Sequence, residues 1–340
     1  MSTKTTPRRL VTTLAALAVA GIALSGCGGQ QTRQPAPDAD GDAGASTSCE
    51  ATAQQLAIAT GNSTGVYYVL GGAIANVLSS ETALRVTAAE TGASVQNIEQ
   101  VVSGDFAIAF SLADTAADAV AGTGSFSEPQ PIEALGRTHV NYTQVVVRAD
   151  SGITSVEDMA GKTVSTGSPK SGTEVIALRL LEAAGLEPDV DVTTQRLDLS
   201  NSVDGLRNGT VDALFWSGGL PTPNITDLFT SAGDTVEFID ITPLLPAMQE
   251  VNAVYAEDEI PADMYGTDAA IPTIVVPNVL VVRDDFDEAT ACAVTKTIWS
   301  NVEAIAQVHP AGNSLEPGFS AATDPIPLAP GAAQAFEELD

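Results

Sequence analysis

Residues Thr60-Gly-Asn-Ser-Thr-Gly-Val-Tyr-Tyr68 join an apolar run, Gln55–Ala59, to a helix-like stretch that ends near Ser80. A strand that feeds a helix through a Gly/Ser/Thr turn leaves the first helical N–H groups without intrahelical partners. Such a turn suits an anion or a carboxylate. Its side chains are hydroxyls, flexible glycines and two tyrosines, with none of the usual catalytic types. Thr60, Gly61, Ser63, Thr64, Gly65 and Tyr67 are therefore candidate ligand contacts. Adjacent helical positions diverge by ~100°, so one of Tyr67 and Tyr68 faces a cleft and the other faces inward. The competing role is core packing for both.

Other strand-end turns share the design. Glu90-Thr-Gly-Ala-Ser94 leads into Val95-Gln96-Asn97, and Ser111 follows the run Phe106–Phe110. Gly167–Thr173 follows Thr163–Thr166, and Ser217-Gly-Gly-Leu-Pro-Thr-Pro-Asn224 follows Val211–Trp216. In open α/β sheets ligands sit at the carboxyl ends of strands, so these turns converge on one cleft. They add Ser94, Ser111, Ser171, Gly172, Thr173 and Gly219 to the ligand-binding candidates. Helix capping is the alternative role of Ser94 and Ser171, and the two roles coexist. Lys170 is either a carboxylate partner or a solvated loop charge.

Catalysis needs groups that move protons, attack, or hold metal. The chain has two histidines, His139 and His309, and His309 stands before Pro310 at a helix end. HExxH and CxxC patterns are absent, and Gly61-Asn-Ser63-Thr-Gly65 in the first turn has GxSxG spacing. Gly167–Thr173 has P-loop glycine spacing, but Thr173 stands where the phosphate-gripping lysine belongs. The expectation is a receptor and not an enzyme, with no catalytic residues, no metal and no cofactor. A hydrolase using Ser63 or Ser171 is the rival from the enzyme class.

The elements that position these turns alternate. Strand patterns fall at Gln55–Ala59, Leu84–Ala88, Phe106–Phe110, Gln144–Arg148, Thr163–Thr166, Val211–Trp216, Val236–Ile239 and Val279–Arg283. Helix patterns fall near Tyr67–Ser80, Val95–Ser103, Thr115–Ala121, Thr173–Ala184, Ser202–Asn208 and Glu288–Ala306. This is α/β layering on a mostly parallel sheet. Ile176, Leu180, Ala183 and Ala184 share one helix face, Ser171-Gly-Thr-Glu174 has capping-box form, and Gly185 marks the end. Thr143–Asp150 and Ile271–Arg283 read as crossings between two lobes, and Pro310–Pro330 reads as a surface-wrapping tail.

The first 27 residues carry Lys4, Arg8 and Arg9, an apolar stretch from Leu10 to Leu24, and Leu24-Ser-Gly-Cys27. That is a secretory leader ending in a bacterial lipobox, with Cys27 lipidated; plain cleavage with Cys27 an ordinary thiol is the alternative. Residues 28–53 are polar and read as a flexible tether. The body exceeds what one core fills, so two lobes are expected. Net charge is −29, and removing a leader with three basic and no acidic residues takes it to −32. Nucleic acid and anionic lipid surfaces are poor partners for such a chain. No later stretch is long and apolar enough to span a membrane, so the lipid would be the only anchor. Cys49 and Cys292 pair in a disulfide, or Cys292 is a buried free thiol.

The motifs together resemble the TAXI-type solute receptors of tripartite (TRAP) transporters. The matching stretches are Ile58-Ala-Thr-Gly-Asn-Ser-Thr-Gly-Val-Tyr-Tyr68 with Gly71-Gly72, and Thr91-Gly-Ala-Ser-Val-Gln-Asn97. Gly104-Asp-Phe-Ala-Ile-Ala109, Ser168-Pro-Lys-Ser-Gly-Thr173 and Gly219-Leu-Pro-Thr-Pro223 follow, then Pro277-Asn-Val-Leu-Val-Val-Arg283 and His309-Pro310. The resemblance runs from about Gln55 to the C-terminus. It implies a two-lobed, periplasmic-binding-protein-like (type II) α/β fold with a strand hinge and an interlobe cleft. Lobe 1 would comprise residues 54–142 and 278–340, and lobe 2 residues 143–277. It further implies a monomer outside the cytoplasm that captures a small carboxylate, an organic acid or an acidic amino acid such as glutamate, for TRAP membrane subunits. Thr60, Ser63, Thr64, Tyr67, Ser94, Ser171 and Thr173 are its implied contacts, and Ser111 stands where the resemblance leads one to expect a longer amide. An ABC-type or precursor-binding receptor and a ligand-sensing module are the alternatives on the same fold.

Overall fold

Runs of β-branched and small apolar residues, each closed by a Gly/Ser/Thr turn, build the same βαβαβ unit twice. The computed structural model describes residues 48–339, so the leader, Cys27 and residues 28–47 of the expected tether lie outside the described residues. The first unit is β1 (Gln55–Ala59), α1 (Val66–Glu81), β2 (Arg85–Ala89), α2 (Ser94–Ser103) and β3 (Ile108–Leu112). After α3 (Ala113–Ala121) comes the long β4 (Ile132–Arg148). The second unit is β5 (Thr163–Ser165), α4 (Gly172–Ala183), β6 (Thr193–Gln195), α5 (Leu199–Asn208) and β7 (Ala213–Gly218). Next come α6 (Pro223–Ala232), β8 (Val236–Phe238), α7 (Leu245–Val251), β9 (Ala256–Ile260) and the long β10 (Ile271–Arg283). The chain closes with α8 (Glu288–Ser300), α9 (Val302–Ala306), α10 (Pro317–Ala321) and α11 (Pro330–Leu339).

The strands follow the order β2-β1-β3-β10-β4-β7-β5-β6, with β8 on β4 and β9 on β10. Within each unit the strands pair in parallel, in the order second, first, third. Beside each third strand lies an antiparallel strand: β10 against β3, and β4 against β7. These two long strands also pair with each other from Val275–Tyr142 to Arg283–Ile132, so they tie the two halves together. β3 and β7 are buried along their whole length, as strands covered on both faces must be. Among the described residues no helix is long and apolar enough to cross a membrane.

Several boundaries differ from the pattern reading. β4 starts at Ile132, well before Gln144, because its first part is rich in polar residues without a strict alternation and is held by pairing with β10. It already pairs with β7 at Tyr142, so the passage between halves precedes most of Thr143–Asp150. β3 runs to Leu112 and places Ser111 inside the strand. The expected helix Glu288–Ala306 breaks at Asn301, and the tail from Pro310 contains α10. Cys49 and Cys292 form a disulfide with Cα atoms 4.9 Å apart, joining the segment before β1 to α8.

Candidate functional site

The carboxyl ends of β1, β2, β5 and β7 meet around one small cavity. The turn after β1 contributes Gly61, Asn62 and Gly65, followed by Val66 and Tyr67 of α1. Gly92, Ala93 and Ser94 come from the start of α2, and Ser168, Ser171, Gly172 and Thr173 from the start of α4. Trp216, Ser217 and Gly218 end β7, and Leu112 and Asn141 close the wall. Of the candidate contacts, Gly61, Gly65, Tyr67, Ser94, Ser171, Gly172 and Thr173 line this cavity.

Thr60, Ser63, Thr64, Ser111 and Gly219 stand outside the lining. Thr60 is fully buried, and its hydroxyl donates to the Ala89 carbonyl at 2.6 Å. Ser63 is exposed; its N–H donates to Glu90 Oε1 at 2.9 Å. Thr64 is half-buried. Ser111 is fully buried and donates to the Leu112 carbonyl at 3.0 Å. Gly219 packs against Val66 and His139.

The lining contains no charged side chain. Its donors are backbone amides and hydroxyls. α1 starts at Gly65 without a side-chain cap, and the N–H groups of Val66 and Tyr67 have no acceptor among the described residues. At α4 the Ser171 hydroxyl accepts from the Glu174 N–H at 3.0 Å. The Gly172 and Thr173 N–H groups are left without acceptors among the described residues. Two helix N-termini, one from each half, thus border the cavity with free donors and the positive ends of their dipoles. Ser217 is 7% exposed, and its hydroxyl has no hydrogen-bond partner. A buried orphan hydroxyl costs stability unless something else satisfies it.

Tyr67 does not aim its hydroxyl at the cavity. The ring stacks on Phe110 with centroids 4.9 Å apart, and the hydroxyl donates to Asn278 Oδ1 on β10. Asn278 Nδ2 donates in turn to Asn141 Oδ1 at 2.9 Å, and Asn141 Nδ2 donates to the Ser217 carbonyl at 3.2 Å. This relay passes from α1 through both long strands to β7. Burial raises the Tyr67 pKa well above its ordinary value, so the hydroxyl stays protonated as a donor.

The two halves touch directly across the cleft. The first-turn N–H groups of Val95 and Gln96 in α2 donate to the Lys170 carbonyl at 3.1 and 3.2 Å. Lys170 adopts φ 60° to present it, and its ammonium pairs with Glu99 at 2.8 Å. Asn62 Nδ2 donates to Ser168 Oγ at 3.3 Å. A side chain on Gly172 would meet Leu112 Cδ1 at 2.4 Å and Ser94 Oγ at 2.7 Å, so only glycine permits this approach. Behind the cavity, Arg179 of α4 donates to Asp114 of α3 at 3.1 Å, to Tyr255 at 3.0 Å, and to Asp118. This is a closed cleft.

Neither histidine serves a nucleophile. His139 Nδ1 lies 3.0 Å from Thr138 Oγ1, and burial, then His309, push its pKa down to about 3. His309 Nδ1 accepts from the Ala311 N–H, so Nε2 carries the proton donated to the Pro221 carbonyl at 3.2 Å. Ser63 and Ser171 therefore have no histidine base. Among the described residues, Cys49, Cys292 and Glu338 are a group close enough to hold a metal, but the two cysteines are bonded to each other.

Asn62, Asn141, Ser168, Trp216 and Ser217 line the cavity beyond the sequence-derived candidates. Asn141 and Asn278 carried a usable signal. Asparagine is depleted in strands, and two inside β-branched runs point to a role other than packing.

Residues 58–339 match the NMT1-like family, and the chain belongs to that family. Solved structures with the same fold include a binding protein component of an ABC phosphonate transporter from Pseudomonas aeruginosa. It has TM-score 0.52 and 13% identity, over 76% of this chain and 79% of that one. A Prochlorococcus marinus protein in complex with methylphosphonate has TM-score 0.51 and 11% identity, over 78% and 92%. A Xanthomonas citri protein bound to ATP has TM-score 0.50 and 14% identity, over 84% and 95%. The fold is that of the two-lobed type II periplasmic binding proteins.

Proposed function

We propose that this chain is an extracytoplasmic solute receptor of the TAXI type. It captures a small carboxylate in the closed cleft and delivers it to TRAP membrane subunits as a monomer anchored by a lipid on Cys27. The observation that carries the reading is the pair of free amide sets, at Val66–Tyr67 and Gly172–Thr173, with the orphan Ser217 hydroxyl at the same cavity. Donors without protein acceptors suit an anion, and closure strengthens each bond by excluding water. Histidines engaged away from Ser63 and Ser171 support binding over hydrolysis. The ordered motif resemblance supports the TRAP partner.

A second reading has a specific support: among the similar folds are a component of an ABC phosphonate transporter and a methylphosphonate complex. A phosphonate brings up to two charges, and this cavity has no cationic side chain to meet the second, which favours a carboxylate. Thermal-shift screening of the full chain against organic acids, amino acids, phosphonates and sulfonates tests both. Stabilisation by carboxylates is expected. Stabilisation by phosphonates alone would move the chain to the ABC class, and turnover without stabilisation would make it an enzyme. Genes for TRAP membrane subunits beside this one are expected; ABC permease and ATPase genes there would overturn the partner.

A further inference from the structure

We infer that the cleft selects a small organic acid carrying one negative charge, a short apolar body and no ammonium group. This rests on the anion reading above and narrows it against α-amino acids and dicarboxylates. No aspartate or glutamate lines the cavity, so an α-ammonium group would be buried without a carboxylate partner. Glu90, in the neighbouring turn, is bonded to the Ser63 N–H and stands outside the lining.

A second carboxylate fares no better. The nearby cations are engaged elsewhere: Lys170 with Glu99, Arg179 with Asp114 and Asp118, and Arg196 with Glu174 and Asp189. One carboxylate, by contrast, matches the donor set of four free amides and the Ser217 hydroxyl. The other polar side chains of the wall are bonded to protein: Asn62 to Ser168, Ser94 to the Leu112 N–H, Asn141 to Asn278 and the Ser217 carbonyl, Ser171 to the Glu174 N–H, and Thr173 to the Ser217 N–H. Val66 and Leu112 present aliphatic groups, and the Trp216 indole N–H is already donated to Thr222 Oγ1 at 3.1 Å, leaving its carbon face.

Size points the same way. The cavity volume is about 40 Å³, where roughly 10–15 Å³ seats one water. That room, about three waters, favours a ligand of a few heavy atoms, such as propionate, over a longer dicarboxylate. Specificity arises from groups left unpaired in the wrong complex as much as from bonds in the right one.

The test is calorimetry on the full chain with propionate, succinate and L-glutamate, repeated on Ser217→Ala with the unfolding midpoint measured alongside. Propionate is expected to bind at least about tenfold more tightly than the other two. Ser217→Ala should weaken it by about tenfold or more, the loss of a hydroxyl bonded to a charged group. The midpoint should hold, because that hydroxyl has no protein partner to strand. Succinate or glutamate binding as tightly as propionate would overturn the inference and leave the anion reading standing. Propionate affinity unchanged in Ser217→Ala would overturn the assignment to this cavity. Binding of none of the three would overturn the anion reading itself and the inference with it.

Discussion

α2 and α5 hold the same place in the two βαβαβ units, yet their first turns are satisfied differently. α5 caps itself: the Asp198 carboxylate accepts the Asn201 N–H at 2.8 Å. α2 begins at Ala93, with φ 75° and ψ −152° and no side-chain cap, and takes the Lys170 carbonyl from the opposite half. The first helices repeat the contrast. α4 is capped by Ser171, whereas α1 starts at Gly65 with nothing. In the second half α4 and α5 carry side-chain caps of their own, and in the first half α1 and α2 carry none. A missing N-cap beside a strand end thus marks a surface completed by something outside its own unit.

Breaking the cross-half contacts should have the largest effect. Arg179→Met strands Asp114, which is fully buried, and Asp118, and should cost about 3–5 kcal/mol in chemical denaturation. Burial raises the Asp114 pKa, and Arg179 opposes that rise. Removing the arginine raises it further. A carboxyl with a raised folded pKa holds its proton longer in the native state, so stability is lost as pH rises through that range. The Arg179→Met deficit should therefore be larger at pH 7 than at pH 4, and a deficit independent of pH would contradict the account.

The Cys49–Cys292 bridge stiffens only the helices around the first half, with no counterpart in the second. It spans 243 residues, and its reduction should cost about 2–4 kcal/mol. Intact-mass analysis after alkylation without reduction should find no free thiol on either residue; labelling of both would refute the bridge.

Tyr67→Phe tests the relay between halves. It leaves Asn278 Oδ1 without its donor in a buried site, so it should cost about 1–3 kcal/mol of stability. Ligand affinity should change less than in Ser217→Ala, because the Tyr67 hydroxyl does not face the cavity. A large affinity loss with stability intact would return Tyr67 to the ligand.

The remaining effect is a slope. His139 has its folded pKa pushed down to about 3 from an ordinary value of 6.5. The unfolded state binds the proton first, so stability falls as pH drops through that window, by at most about 1.4 kcal/mol per pH unit. His139→Gln should flatten this stretch of the stability–pH curve, and an unchanged slope would assign it to the carboxylates.

The sequence made the repeated unit legible because β1 and β7 carry short apolar runs and β1, β5 and β7 each lead into a Gly/Ser/Thr turn. It hid the first part of β4, where Thr138, His139 and Asn141 are buried polar residues. Thr138 and His139 bond to each other and Asn141 bonds to β7 and β10, which a period-two pattern does not reveal. β9 reads Ala-Glu-Asp-Glu-Ile and is mostly exposed, so it carries little apolar signal, and β6 has only three residues. The site was legible as turns but not as atoms. Thr60, Ser63 and Ser111 have the right chemistry and face elsewhere, because a residue or two of strand length decides which side a hydroxyl takes. Ser217 lay in a turn already singled out, yet only its burial without a partner distinguishes it.

The central claim is that one carboxylate sits between the free first-turn amides of α1 and α4. Titrating the ¹⁵N-labelled full chain with propionate and following backbone amide resonances tests it directly. The account predicts the largest saturable shifts at Val66, Tyr67, Gly172 and Thr173, with Asn201 in self-capped α5 nearly still. Saturable binding that leaves those four amides unmoved would contradict it.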